Sequence, residues 1–429
     1  MRTKVCLRRD SILSCRAYLS LLILVTLLAC SPQEAVEVSV QETPAGWRLH
    51  VEDETFYVRG AGGRQYFHTL ESAGGNAVRT WNANHAQEVL DSAEANGLKV
   101  MLGLWVQHER HGFDYTDTKA VAAQFEKFKT TVEAFKNHPA LLLWGVGNEV
   151  GFGRKNLEAI EAVDDIAQMI QELDPRHPVT TVTAGVQEEE IPVILKYGEH
   201  IDFISVNSYG GIDKVDERLE EYGYHGPYLI TEWGPTGHWE VDTTEWGAAI
   251  EQSTTEKEIA YYERYQEHIL NAPRCMGSFV FLWGQKQERT HTWYGMFDEN
   301  GKPYGTVQAL QQAWAGESLE PSSARIENIR LEGHTFKASE TMVGGRVASF
   351  EVEGEFADDA TITWELFGES KAKSSGGDLE DQPERVSWLM NNGMVPYQAV
   401  MSTPDTSGDF RIFVTVEQNG FLSTANVPF

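Results

Sequence analysis

The sequence predicts an α/β chain: a (β/α)8 barrel over residues 46–318, followed by a small all-β sandwich of immunoglobulin-like type over 322–429. Three observations carry this. Strand-like runs alternate with amphipathic helix patterns from about residue 55 to 317. After Gly316 the apolar pattern switches to period two. Two glutamates, Glu149 and Glu232, end hydrophobic strand-like runs, where an ionised side chain is costly unless it has a partner or a task.

The eight strand candidates are Phe56–Gly60, Ala77–Trp81, Lys99–Val106, Leu141–Glu149, Val179–Ala184, Asp202–Tyr209, Tyr228–Glu232 and Ser278–Trp283. Between them, Val121, Phe125, Phe128, Val132 and Phe135 recur at steps of four and three. Leu157, Ile160, Val163, Ile166, Ile170 and Leu173 do the same, and each series marks one apolar helix face. A doubly wound open sheet is the alternative, but Gly60-Ala61-Gly62-Gly63-Arg64 is a poor match to its GxGxxG loop. Glu320-Pro321-Ser322-Ser323 reads as a linker. Beyond it Ile362/Trp364/Leu366 and Phe410/Ile412/Val414/Val416 alternate, and Asn419-Gly420 marks a hairpin turn.

The first 29 residues read as a leader rather than fold. Arg2, Lys4, Arg8, Arg9 and Arg16 precede an apolar run, Leu19 to Ala29, that is too short to span a bilayer. The ending Leu27-Leu28-Ala29-Cys30 resembles a bacterial lipoprotein signal. That resemblance implies lipidation of Cys30, a membrane partner through the lipid, and a place in the cell envelope, with the outer membrane favoured and ordinary secretion as the alternative. Residues 30–45 are expected to be a tether. Cys275 is then the one cysteine left, so no internal disulfide forms. Net charge is −29, and removal of the leader's five basic residues and one acid makes it −33. This argues against nucleic acid and anionic polymers and favours a neutral substrate.

In a barrel, chemistry sits where the strands end. Alternation places Arg79, Glu149, Tyr209, Glu232 and Trp283 on one cavity. Two converging carboxylates are the equipment for cleaving a sugar bond with retained configuration. Twelve tryptophans agree with a sugar site, although most are expected in the core.

Asn148-Glu149 after an apolar strand and Thr231-Glu232-Trp233-Gly234 three strands later resemble the retaining glycoside hydrolases with a (β/α)8 barrel. Gly74-Gly75-Asn76-Ala77-Val78-Arg79 and Gly147-Asn148-Glu149 are similar to motifs of glycoside hydrolase family 2, and Gly147–Val150 is also similar to family 72 glucanosyltransferases. The resemblance implies that Glu149 is the acid/base and Glu232 the nucleophile, with Arg79 beside the nucleophile. It departs from family 2 in one respect: about 25 residues separate Cys30 from the first strand, where that family usually carries β-sandwich domains. Arg79, Trp81, His108, His111, Asn148, Asn207, Tyr209 and Trp283 are the substrate-binding candidates. Asn148 is expected on the sugar 2-hydroxyl, Tyr209 on Glu232, and Trp283 as a stacking floor. His108 and His111 lack a third ligand, so no metal is expected, and glycosyl transfer between two carboxylates requires no cofactor. The expected activity is hydrolysis of a neutral β-linked oligo- or polysaccharide, with a β-glucan as the specific substrate. A transglycosylase using the same residues and a non-catalytic glycan-binding protein are the alternatives.

Overall fold

The computed structural model describes residues 36–154, 157–372, 377–389 and 397–429. The leader, Cys30 and the first part of the expected tether lie outside the described residues. The rest of that tether is ordered differently from the expectation. Strands β1 (Val38–Thr43), β2 (Gly46–Val51) and β3 (Glu54–Phe56) form an antiparallel sheet. Their apolar side chains explain why. Val38 and Leu49 are buried against Val58, Ala77, Phe203 and Met276, residues at the starts of barrel strands. Backbone bonds from Val38 N to Arg176 O and from Trp47 N to Pro273 O, both 2.8 Å, fix the sheet there. It plugs the end of the barrel where the strands begin.

The barrel strands are β4 (Val58–Gly62), β5 (Ala77–Arg79), β6 (Lys99–Leu104), β7 (Leu141–Val146), β8 (Val179–Ala184), β9 (Phe203–Asn207), β10 (Tyr228–Trp233) and β11 (Cys275–Val280). Neighbours are parallel, and β11 pairs with β4 to close the ring. At that seam Gly277 has φ +117°, and a Cβ there would lie 2.2 Å from Val58 O, so the closure requires a residue without a side chain. A helix follows each strand. Thr118–Phe135 is capped by Asp117, whose side chain accepts from Lys119 N and Ala120 N, and it buries Phe128 and Val132. Glu158–Leu173 buries Ile160, Val163, Ile166 and Ile170, the face its periodicity predicts. No helix among the described residues is long and apolar enough to cross a membrane.

The C-terminal part is the two-sheet antiparallel arrangement expected. One sheet orders His334–Thr335, Arg325–Leu331, Val347–Glu355 and Gln398–Ser402, and the other Arg385–Leu389, Thr361–Gly368, Phe410–Gln418 and Phe421–Pro428. Asn419 and Gly420 both have positive φ, 52° and 83°, as a two-residue hairpin of this twist demands. Trp364 is fully buried between the sheets, so it is core rather than a glycan contact. The sandwich docks on the barrel through named bonds: Thr424 N to Thr254 Oγ1 (2.8 Å), Asn426 Nδ2 to Glu251 Oε2 (2.7 Å) and Arg411 Nη2 to Ala249 O (2.7 Å).

Candidate active site

The catalytic candidates gather at the open end, where the strands finish. Arg79 closes β5 and is 1% exposed. Its Nη1 donates to Glu232 Oε1 at 2.9 Å and to Thr231 O at 2.7 Å, and its Nη2 donates to Asn148 Oδ1 at 2.6 Å. Trp81 Nε1 donates to the same Glu232 Oε1 at 2.7 Å, and the Tyr209 hydroxyl donates to Glu232 Oε2 at 2.9 Å. Glu232 is therefore held through both oxygens, and each of these contacts comes from a donor, as an ionised carboxylate requires. Trp81 was expected on substrate; in the structure its indole N–H holds the nucleophile candidate.

Glu149 reaches the site by a route that alternation does not describe. The strand ends at Val146, not at Glu149. Gly147 and Glu149 then adopt positive φ, 77° and 56°. A left-handed glutamate is uncommon and has to be held by its surroundings. Glu149 N donates to Val182 O at 2.8 Å, and Phe152 N closes the turn on Glu149 O at 3.0 Å. Asn207, the last residue of β9, donates from Nδ2 to Glu149 Oε1 at 2.8 Å and to Asn148 Oδ1 at 3.2 Å. Thr231 Oγ1 donates to Asn207 Oδ1 at 3.0 Å and fixes which way the amide points. With Oε1 occupied by a donor, the proton of the acid form belongs on Oε2.

The two carboxyls are thus linked through Arg79, Asn148 and Asn207 but sit in different fields. Burial, and then the charge of Glu232, push the Glu149 carboxyl up to about 7, while the Asn207 bond, Arg79 and Arg110 pull the other way. Burial also raises the Tyr209 hydroxyl well above its ordinary value, with Glu232 adding to it, so it remains a donor.

The remaining candidates divide. Asn148 lies between the carboxyls with its Oδ1 engaged by Arg79 and Asn207. His108 is 1% exposed and stacks between Trp105 and His111, at centroid distances of 4.9 and 5.2 Å. Burial lowers its pKa to about 4, and its Nδ1 accepts from Arg110 Nε at 3.2 Å. His111 stands at the rim, 3.1 Å from Asp378. Trp283 does not provide a stacking floor. It is 2% exposed, its Nε1 donates to Tyr66 O, and its ring meets Phe297 edge-on, so no face is open to a sugar. Trp239 in the loop after β10 has the open surface instead: it is 56% exposed, with its ring edge-to-face with Tyr209 at 5.4 Å.

Glu190 had no signal in the sequence beyond a run of three glutamates. It is 4% exposed and presses against Gly151 in the turn that carries Glu149. Burial, then Glu149, push it up to about 7 as well.

Residues 64–272, which include Arg79, Glu149, Tyr209 and Glu232, match the family model described as glycosyl hydrolases family 2, TIM barrel domain. A β-glucuronidase from Paenibacillus borealis is 25% identical over 251 residues, covering 52% of this chain and 41% of the relative. A β-galactosidase from Pectobacterium atrosepticum is 22% identical over 190 residues, covering 44% of this chain and 15% of the relative. The chain thus spans less than half the length of these curated relatives. Among solved structures, a β-D-glucuronidase from Dictyoglomus thermophilum superposes with TM-score 0.51 at 18% identity, over 66% of this chain and 54% of that one. A family 2 β-galacturonidase from Eisenbergiella tayi gives TM-score 0.52 at 17% identity with the same coverages. These two show a shared fold. Residues 64–272 are thus similar in sequence to the barrel domain of family 2 glycoside hydrolases.

Proposed function

We propose that the protein hydrolyses a β-linked glycoside with retention of configuration. Glu232 is the nucleophile and Glu149 the acid/base. One observation carries this reading: Arg79, Trp81 and Tyr209 hold both oxygens of Glu232 as a carboxylate, while Glu149 is pushed up to about 7. In the first step Glu232 attacks the anomeric carbon and Glu149 protonates the departing oxygen. This breaks the glycosidic bond and leaves a glycosyl ester on Glu232. In the second step Glu149, now ionised, takes a proton from water as its oxygen attacks the same carbon, and Glu232 is released. Asn148, between the two, is suited to bond the sugar 2-hydroxyl.

For the sugar, the names of the relatives favour a hexuronic acid in the catalytic subsite, in place of the neutral substrate expected from net charge and the β-glucan expected from the likeness to family 72. A neutral sugar is the second reading. It is favoured by the rim cations, which already carry acidic partners: Arg110 with Asp378, Lys286 with Glu288 and Arg289 with Glu380. Transfer to a sugar acceptor would use the same residues. The lipid anchor on Cys30 and the envelope location remain proposals resting on the leader sequence alone.

The test is hydrolysis of aryl β-glucuronide, β-galacturonide, β-glucoside and β-galactoside by the parent, Glu149→Gln and Glu232→Gln, with the first-formed anomer read by NMR. Activity lost in both variants and a β-anomer released first would support the assignment. Activity surviving Glu232→Gln, or an α-anomer, would overturn it. Added sugar acceptor separates transfer from hydrolysis by the products formed.

A further inference from the structure

The C-terminal sandwich does more than rest on the side of the barrel. Two of its acidic side chains reach the loops that border the candidate site, on both sides of it. Asp378 takes Arg110 through two contacts, Nη1 to Oδ2 at 3.2 Å and Nη2 to Oδ1 at 3.3 Å, and takes His111 Nε2 at 3.1 Å. Arg110 in turn donates to His108, so this arm leads to the acid/base side. Glu380 has its side chain fully buried and takes Arg289 twice: Oε2 accepts the backbone N–H at 2.7 Å, and Oε1 lies 3.2 Å from Nη1. Arg289 also donates to His238 Nδ1 at 3.4 Å. His238 packs edge-on against Trp239, and Trp239 against Tyr209, the partner of Glu232. Between these arms Lys286 Nζ donates to Gly377 O at 2.8 Å. Leu379 is 96% exposed, so the two acidic side chains turn to the barrel while the residue between them turns away.

We propose that residues 377–380 of the sandwich are one wall of the substrate cleft, and that Asp378 and Glu380 are positioning residues. They tie the loop after β6 (residues 107–113) to the loop after β11 (residues 284–291). An acid that accepts two guanidinium N–H bonds fixes a planar group in orientation as well as position, so the wall sets the direction of the side chains behind it. The wall is separate from the docking bonds at Thr254, Glu251 and Ala249, so removing its side chains leaves the sandwich attached.

The experiment compares the full chain with Asp378→Ala/Glu380→Ala, and with Asn426→Ala as a docking-interface control. Hydrogen exchange without substrate is the first arm. The double variant is expected to exchange at least fivefold faster in both 107–113 and 284–291, while strands β7 and β10 keep their protection. Unchanged exchange in either loop overturns the proposal, as does faster exchange throughout the barrel. The second arm is kinetic and rests on the hydrolase reading. KM is expected to rise at least fivefold with kcat within about threefold, and Asn426→Ala is expected to leave both unchanged. A fall in kcat at constant KM, or no change in either constant, overturns the wall. A parent inactive on every glycoside would sink the hydrolase reading, and the exchange arm would still decide the wall.

Discussion

On the proposed assignment of Glu149 as the acid/base, its protonation sets the pH range of activity. An ordinary glutamic acid with a pKa of 4.5 is protonated in only ~0.3% of molecules at pH 7, whereas one raised to about 7 is protonated in roughly half. The environment of Glu149 therefore multiplies the working acid at neutral pH by ~150-fold. The sign follows from its role: the active form is protonated, so activity is full below about 7 and falls roughly tenfold per pH unit above it. The assay is kcat/KM for an aryl glycoside from pH 5 to 9, which reports the free enzyme. Asn207→Ala removes the donor on Glu149 Oε1, a bond that favours the ionised form, so the basic limb moves to higher pH. Glu149→Gln abolishes the limb and costs roughly 100- to 10,000-fold on substrates with poor leaving groups, with much less loss on a dinitrophenyl glycoside. A limb near 4.5 in the parent, or one near 7 that survives Glu149→Gln, would refute the assignment.

Three further outcomes follow from single contacts. Arg79→Ala strips Glu232 of its buried cation and unties Asn148; a loss of about 2–4 kcal/mol, roughly 30- to 1000-fold in kcat/KM, is expected, with the circular dichroism spectrum unchanged. Glu190→Gln removes a like charge beside Glu149, so the basic limb of the pH profile moves to lower pH, and a limb that stays in place would exclude that electrostatic contact. Lys257→Met removes the buried cation that donates to Glu251 at 2.6 Å and leaves that carboxylate with only the neutral donors Thr290, Thr292 and Asn426; a thermal midpoint lowered by several degrees, about 3–5 kcal/mol, should be measurable by scanning calorimetry.

The barrel was legible because strands such as Leu141–Val146 are continuous apolar runs and the long helices Thr118–Phe135 and Glu158–Leu173 each carry an apolar stripe; both patterns survive in the sequence without tertiary knowledge. Glu232 reaches the open end as expected, because β10 keeps its register against β9 up to Ile230. Glu149 was found for a different reason than the one that positions it. Its run looks like a strand to its end, yet the ladder stops at Val146 and two positive-φ residues turn the chain. Period-two reasoning cannot foresee a left-handed residue. Trp283 failed for a related reason: β11 ends at Val280, so alternation counted from Phe279 no longer says where residue 283 points. The plug at 38–56 was missed because its strands are short and half-exposed. Asp378 and Glu380 lie some 90 to 270 residues from the side chains they hold, a separation over which the local pattern carries no information.

The plugged end of the barrel gives the molecule a fixed polarity. The chain enters beside Val38, against the ends of strands that point away toward Glu149 and Glu232. Anything fastened ahead of residue 36, whether an acyl chain, an affinity resin or a fusion partner, attaches at the blind end. The mouth lies at the opposite end of the barrel from residue 36, as the rim of a cup lies opposite its base. Immobilising the protein through its N-terminus should therefore preserve access for bulky substrates.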